Sequence, residues 1–551
     1  MTWIASGWKG RIMNYHIPRI MLAAPASGGG KTTVTCGLLQ ALLNCGVSPA
    51  AFKCGPDYID PMFHKYVLGV DGGNLDSFFL GEHEIRRQLV LGSRRQDMAV
   101  IEGVMGYFDG VAGTSTWASS YDIARITETP VILIVDCKGS SLSAAAVVQG
   151  FLQYEKDLAA AAGKAEEREN TGELSEGRQE EILGEISGEI SEKISGGRIK
   201  GVLLNRISPV MAERLKPEIE KLGVTVVGYI PECPEMKLES RHLGLVKPEE
   251  LDMLRSQLDM LAEQMKNTVN IDKICSIAQS APDIEMADDG IEEIGGGQLK
   301  ESEGTLKKRV KRSEERKREC RSSQPLLRIG VARDSAFCFY YQENLRLLES
   351  MGVETVMFSP ISDTSLPSDI DGMILGGGYP ELHAAELASN TSMRESIKTA
   401  IEAGMPYLAE CGGFLYLHRE LESPDGSNYP MVGVIDGNGY RTKRLSRFGY
   451  ISLTPKAEEH CLSNEIKGHE FHYWDSTDCG EDWIAQKPLS TRTWSCVHSK
   501  EFQIAGFPHL YYPSNPDFLK TWLEGCRSYG ERTGQATEKS ISFRIQNGVN
   551  I

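Results

Sequence analysis

No apolar run in the sequence approaches the roughly 18 residues that a bilayer-crossing helix needs. The opening MTWIASGWKGRIMNYHIPRIMLAA has neither the h-region nor the cleavage site of a secretory signal. These absences argue against a membrane partner and predict a cytoplasmic protein. No CxxC pair occurs, and the 13 cysteines are odd in number and scattered, which argues against a zinc site, a redox dithiol or a disulfide framework. Positive charge is in deficit, with 59 Lys+Arg against 76 Asp+Glu and a net charge of −17. Nucleic acid and anionic lipid are held through clustered Lys and Arg, so neither is an expected partner.

What is present is ordinary globular material: 551 residues, 41% hydrophobic and 25% charged, a length that calls for more than one core. From Ile17, the segment IPRIMLAAPASGGGKTTVTCGLLQALLNCG reads as an apolar strand, a Gly-rich loop and a helix. VSPAAFKCGP, MAVIEGVMG and TPVILIVDC follow as buried parallel strands with helical stretches between them, and IKGVLLNRIS and TVVGYIPE continue the series. Two breaks interrupt the chain. Residues 164–197 collapse into Glu, Gly, Ser and Ile, and residues 266–324 are first acidic and then basic, without the interleaved aromatics of a nucleic-acid patch. The expected layout is a loose extension over 1–16, a folded unit over 17–265 carrying the insertion 164–197, a charged linker over 266–324, a second α/β unit over 325–526 and a polar tail over 527–551. The fold class is therefore α/β, with two doubly wound domains.

Three constellations carry chemistry. SGGGKTT places Ser27, Gly28, Gly29, Gly30, Lys31, Thr32 and Thr33 between a strand and a helix, where backbone N–H groups and the helix dipole converge on a phosphate. Lys31 suits the β and γ phosphates and Thr32 suits Mg²⁺, although Pro25 stands where the strict P-loop has its first glycine. The next strands end in acids, Asp57 and Asp60 in KCGPDYIDPMFH and Glu102 and Asp109 in VIEGVMGYFDG. Ligands of open α/β sheets gather at such carboxyl ends. Asp57 and Glu102 there can hold Mg²⁺ and orient a reacting group. A turn role for Asp57 and a helix cap for Asp109 are the structural alternatives.

The third constellation is Cys411 in MPYLAECGGFLYL, where a strand runs into a sharp turn opened by Gly412 and Gly413. This is nucleophile-elbow geometry, and a helix dipole at that point would lower the thiol pKa. Backbone N–H groups around Gly376, Gly377 and Gly378 of ILGGGYPE can supply an oxyanion hole. Among His469, His472, His498 and His509, His509 in AGFPHLYYPSNP is the expected base because it follows a strand late in the unit; His469 and His472 of KGHEFHYW are the alternatives.

Taken together, FKCGPDYIDPMFH, NLDSFFL, VIEGVMGYFDG, LESRHLGLV, ARDSAFCFYYQENLRLL, ILGGGYPE and GHEFHYW make the chain resemble the cobyrinic acid a,c-diamide synthase family of corrinoid biosynthesis. The resemblance runs from about Ile17 to Phe518 outside the two breaks. It implies a P-loop synthetase domain similar to dethiobiotin synthetase, followed by a class I, flavodoxin-like glutamine amidotransferase domain with Cys411 as nucleophile and His509 as base. It departs at Ala24, where many relatives have the first loop Gly, and at Glu239, Ser240, Arg241 and His242, where the family has Pro-Glu-Arg-His. Tyr511 stands where typical class I amidotransferases carry a Glu two residues after the His, a loss known for this branch.

The activity so implied is amidation of the a and c carboxylates of a corrin macrocycle. ATP with Mg²⁺ would drive it through an acyl phosphate, and glutamine would supply ammonia. Arg241 and His242 become candidate partners for the corrin carboxylates, and a homodimer is compatible with the resemblance. Nickel sirohydrochlorin is the alternative substrate. A partition-type P-loop ATPase or regulator with a decayed amidotransferase domain is the alternative from another class, disfavoured by the intact Cys411, His509 and Gly-rich loop.

Overall fold

The structure, a computed structural model, describes residues 12–170, 197–232, 248–287, 327–445, 447–456 and 464–534. The chain divides into two compact units, Met1–Glu293 and Ile294–Ile551. Among the described residues no helix is long and apolar enough to cross a membrane. Glu239, Ser240, Arg241 and His242 lie outside the described residues, as do most of the two breaks and the end of the tail.

The first unit is built on a seven-stranded sheet with all neighbours parallel. Its order is Gly72–Leu75, Pro49–Cys54, Met98–Glu102, Arg19–Ala23, Val131–Asp136, Ile199–Asn205 and Thr225–Ile230. The apolar runs RIMLA, PAAFKC and MAVIE are buried at every position, as strands covered on both faces must be. The chain starts in mid-sheet at Arg19–Ala23, winds to one edge, then returns past its start to the other. The strands Met98–Glu102 and Val131–Asp136 therefore flank the first strand, and a switch point opens beside its carboxyl end. The helix Lys31–Asn44 buries Val34, Leu38, Leu39 and Leu42 on one stripe. Gly37 on that helix admits the helix Pro248–Thr268 at close range, since a Cβ there would lie 2.7 Å from Leu261 and Met265.

The unit is larger than 17–265. Ile12–Tyr15, expected to be loose, pairs antiparallel with Ile284–Ala287, which was assigned to the linker. Between these points the helices Pro248–Thr268 and Ile271–Gln279 run on past residue 265. The fully buried Arg19 joins the same assembly, donating to the carbonyls of Thr127 (2.9 Å) and Pro282 (2.8 Å). A buried guanidinium needs several acceptors at once, and the carbonyl at 282 is one of them. The helix Ser143–Asn170 likewise extends into the segment read as an insertion from 164.

The second unit centres on a six-stranded sheet ordered Val353–Phe358, Leu327–Ala332, Gly372–Leu375, Tyr407–Glu410, Gln503–Gly506 and His498–Lys500. It is parallel except for its last pair. Beside it, an antiparallel sheet carries Arg447–Pro455, Ile466–His472 and His509–Leu510 among its strands. The C-terminal helix Pro516–Arg532 passes the expected boundary at 526, because Tyr529 and Gly530 are still buried.

Candidate active sites

In the first unit, the loop after Arg19–Ala23 reaches its helix through Gly30, which caps it at φ 88°. A Cβ at Gly30 would lie 2.4 Å from Asn205 Nδ2, and that amide donates to the Gly29 carbonyl at 2.9 Å. Only glycine fits both the dihedral and the approach. Ser27 and Gly28 are exposed, while Gly29 and Lys31 are buried. The Lys31 ammonium donates to the carbonyls of Met105 and Ala26. Burial lowers its pKa to about 8, with Lys53 adding to the fall. Thr32 and Thr33 form the first turn, and the Thr32 hydroxyl donates to Glu102.

Lys53, in the buried strand Pro49–Cys54, gathers the acids. Its ammonium lies 2.6 Å from Asp60, 2.7 Å from Glu102 and 3.9 Å from Asp57. Burial opposes its charge, but Glu102, Asp60 and Asp57 together hold its pKa above the ordinary lysine value. Burial pushes Glu102 up to about 7 against the pull of Lys53, and burial and Asp60 raise Asp57. Asp57 also accepts the amides of Ile59 (2.8 Å) and Asp60 (3.2 Å), so the turn role and the cluster role coincide. Asp109 stands apart: it is exposed and accepts the Gly106 amide at 3.1 Å, which braces the turn whose Met105 carbonyl receives Lys31. Neither Lys53 nor the buried His64, 3.8 Å from Glu102, was singled out from the sequence. The available signal was a lysine inside an otherwise apolar strand.

Glu102 Oε2 is buried without a hydrogen-bond partner among the described residues. It shares its carboxyl group with the Thr32 contact, so this pair suits a hard cation with oxygen ligands. No three His, Cys, Asp or Glu side chains among the described residues are grouped to hold a metal by themselves. Such a donor set fits an ion that also takes phosphate oxygens.

In the second unit, Cys411 sits at φ 47°, ψ −98° between the strand Tyr407–Glu410 and the helix Gly412–Tyr416. Its amide donates to the Gly506 carbonyl at 2.8 Å, and the Gly413 amide to Gly376 at 2.9 Å. A Cβ on Gly413 would lie 2.0 Å from the Leu375 carbonyl oxygen, and one on Gly412 would lie 3.0 Å from the Gly378 nitrogen. The two glycines therefore let the ILGGGYPE loop lie against the elbow. Within that loop the Gly376 amide already donates to the Tyr340 hydroxyl at 2.9 Å, and Gly377 and Gly378 pair antiparallel with Phe339 and Phe337. The expected lowering of the thiol pKa does not occur. The helix is one of five residues, and burial, with Glu381 and Glu470 adding negative field, pushes Cys411 up.

His509 stands beside the same loop: a Cβ on Gly377 would lie 2.3 Å from its Cε1. His469 pairs with it in register, the rings stacked at 5.0 Å. The Tyr341 hydroxyl meets His469 Nδ1 at 3.0 Å; His472 Nδ1 meets the Trp474 carbonyl at 2.6 Å, its ring flat on Phe507 at 3.9 Å. Burial keeps these imidazoles neutral, lowering His469 to about 3, His472 to about 4 and His509 well below its usual value. His498 is partly exposed beside Asp478. The carboxyls are lifted: burial takes Glu410 to about 8 and Glu470 to about 7. Cys411, Gly412, the Gly376–Gly378 loop and His509 thus form one locus.

Comparison with known proteins agrees with this two-unit chemistry. Residues 20–246 match the CobQ/CobB/MinD/ParA nucleotide binding domain family, and residues 328–496 match the CobB/CobQ-like glutamine amidotransferase domain family. Over 521 residues the chain is 33% identical to the cobyrinate a,c-diamide synthase of Caldanaerobacter subterraneus subsp. tengcongensis, covering 93% of this chain and 99% of that one. The Listeria innocua protein of the same name is 35% identical, over 91% of this chain and 98% of its own. That of Thermoplasma volcanium is 33% identical, over 94% and 99%. The chain belongs to the cobyrinate a,c-diamide synthase family. It is an ATP-dependent, glutamine-hydrolysing amidoligase, with the nucleotide-binding domain N-terminal and the amidotransferase domain C-terminal.

Two tests follow from the geometry. Gly377→Ala places a methyl group where the His509 ring lies, and a displacement of about 1 Å at a reacting group costs about 10²-fold in rate. Glutamate release should fall by about that factor while ammonia-driven amidation persists; release within twofold of wild type would show that the ring position is immaterial. Glu470→Gln tests the lifted carboxyl. Its folded pKa of about 7 exceeds the ordinary glutamate value of 4.5. The wild type therefore loses stability as pH rises from 4.5 through 7, and the variant lacks that loss. Urea unfolding should show the variant gaining on wild type across this window; a difference independent of pH would contradict the assignment.

Proposed function

We propose that the chain amidates the a and c carboxylates of cobyrinate, the substrate named for its relatives, through an acyl phosphate. Three carboxylates, Asp57, Asp60 and Glu102, gather on the Lys53 ammonium, with Lys31 in the field of Glu102, so the five groups when all ionised carry one net negative charge. The cluster stands at the carboxyl ends of Pro49–Cys54 and Met98–Glu102, the second of which lies beside the strand that leads into the Gly-rich loop, and this juxtaposition carries the reading. The loop Ser27–Thr33 takes the ATP phosphates. Lys31 then gives up its hydrogen bonds to Met105 and Ala26 for phosphate oxygens. Thr32, Glu102 and Asp57 would hold Mg²⁺, which would supply charge neutralisation to the triphosphate.

A carboxylate oxygen of the substrate attacks the γ phosphorus and ADP departs. Positioning and charge neutralisation by this chain's residues account for most of the catalysis in such a transfer. Ammonia then displaces inorganic phosphate from the acyl carbon, leaving the amide. In the second unit the Cys411 sulfur attacks the side-chain carbonyl of glutamine. Since the thiol is held protonated by burial, it needs a neutral base, and the buried imidazole of His509 meets that requirement. The proton passes to His509 and from there to the departing ammonia. Water hydrolyses the γ-glutamyl thioester to glutamate.

The division of labour is testable with two variants and two nitrogen sources. Cys411→Ser should lose diamide formation from glutamine and retain it from ammonium chloride, whereas Lys31→Ala should lose both, with product mass and ADP as the readouts. Ammonia-driven synthesis at the wild-type rate in Lys31→Ala would refute the phosphate role. Its loss in a folded Cys411→Ser would refute the separation of the two chemistries.

A further inference from the structure

We propose that Glu410 is the positioning carboxylate of the amidotransferase site, steering the His509 imidazole through Nδ1 so that Nε2 serves the thiol. The inference rests on the reading of Cys411 and His509 as nucleophile and base. Glu410 ends the strand Tyr407–Glu410 and immediately precedes Cys411. Its Oε2 lies 4.0 Å from His509 Nδ1, and it is 7% exposed. Its other oxygen accepts the Tyr512 hydroxyl at 3.0 Å. Tyr512 is itself anchored, its amide donating to Asn344 at 2.9 Å while Asn344 donates to the Leu510 carbonyl at 2.9 Å. The carboxyl group is thus held from the segment that also carries His509.

The position two residues after His509 offers no alternative acid. Tyr511 occupies it, fully buried with its ring edge-on to Tyr341 at 5.0 Å. The carboxylate comes instead from the strand that leads into the nucleophile. A separation of 4.0 Å is longer than a hydrogen bond, and such bonds are commonly long before substrate is bound. Burial favours the neutral carboxyl, so the competent form is the one in which Glu410 has already released its proton to solvent; in that form the thiol proton moves to Nε2, the Nδ1–H donates to the Glu410 carboxylate, and Glu410 neither gains nor gives a proton. The imidazolium then gives its proton to ammonia. In a buried site, an ionised carboxyl beside an imidazolium is far more favourable than one beside a neutral ring, so the charge pair is strongest in the step that creates it.

The test is steady-state glutamate release by the full chain carrying Glu410→Gln, Glu410→Asp or Cys411→Ser. Glutamine at 410 keeps the volume and an acceptor for Tyr512 but removes the charge. The kcat of Glu410→Gln should fall about 10²-fold with KM within about threefold, and Glu410→Asp should recover part of the loss, which a merely structural role would not produce. Ammonia-driven synthesis at the wild-type rate reports that each variant is folded. Wild-type kcat in Glu410→Gln with loss in Cys411→Ser overturns the role of Glu410 alone; retention in both overturns the nucleophile reading as well. Should Glu410→Gln fail to fold, Tyr512→Phe, which frees one carboxyl oxygen, should lower kcat severalfold at constant KM. Unchanged kcat there overturns the proposal.

Discussion

The ammonium of Lys53, buried at the end of the strand Pro49–Cys54, is the charge on which the first unit's site depends. Asp60 and Glu102 are buried beside it at 2.6 and 2.7 Å. Neither carboxylate could stay ionised there alone, because an isolated charge in a protein interior neutralises instead. Breaking such a pair by removing one partner costs roughly 3–5 kcal/mol. The lysine therefore keeps a negatively charged cluster within reach of the Gly-rich loop, at the one sheet end where the winding direction changes. Among the described residues Lys31, by contrast, donates to carbonyls and lies in the field of the acids. On the proposed reading it is the cation that turns to a phosphate.

The second unit solves a different electrostatic problem with the same sheet architecture. Its thiol, imidazoles and carboxyls are all pushed toward their neutral forms by burial. Charge appears there only when a proton moves, and it appears where neighbours can compensate it. The strained φ of Cys411 and the two glycines that follow it, Gly412 and Gly413, serve that end. They bring the loop Gly376–Gly378 against both the elbow and the His509 ring, at distances that a single added methyl group would violate.

Features encoded in local backbone geometry were legible in the sequence. SGGGKTT and ECGG announce turns that only glycine permits, and the apolar runs between them announce parallel strands. Features that depend on distant pairing were not. Ile12–Tyr15 finds its partner about 270 residues away at Ile284–Ala287, and neither segment is apolar enough to declare itself. Lys53 gives no signal of its own, because a charge inside PAAFKC reads as a blemish in a strand until the acids that neutralise it are in view. The lowered thiol pKa expected at the elbow fails because a five-residue helix has little dipole to set against full burial.

The claim that binds the two units into one activity is activation of the substrate carboxylate by phosphoryl transfer. It is tested most directly with cobyrinate carrying ¹⁸O in its carboxylates, incubated with ATP, Mg²⁺ and ammonium chloride, and mass analysis of the inorganic phosphate released. An acyl phosphate transfers one labelled oxygen to phosphate for every amide formed. Amide formation accompanied by unlabelled phosphate would contradict the account.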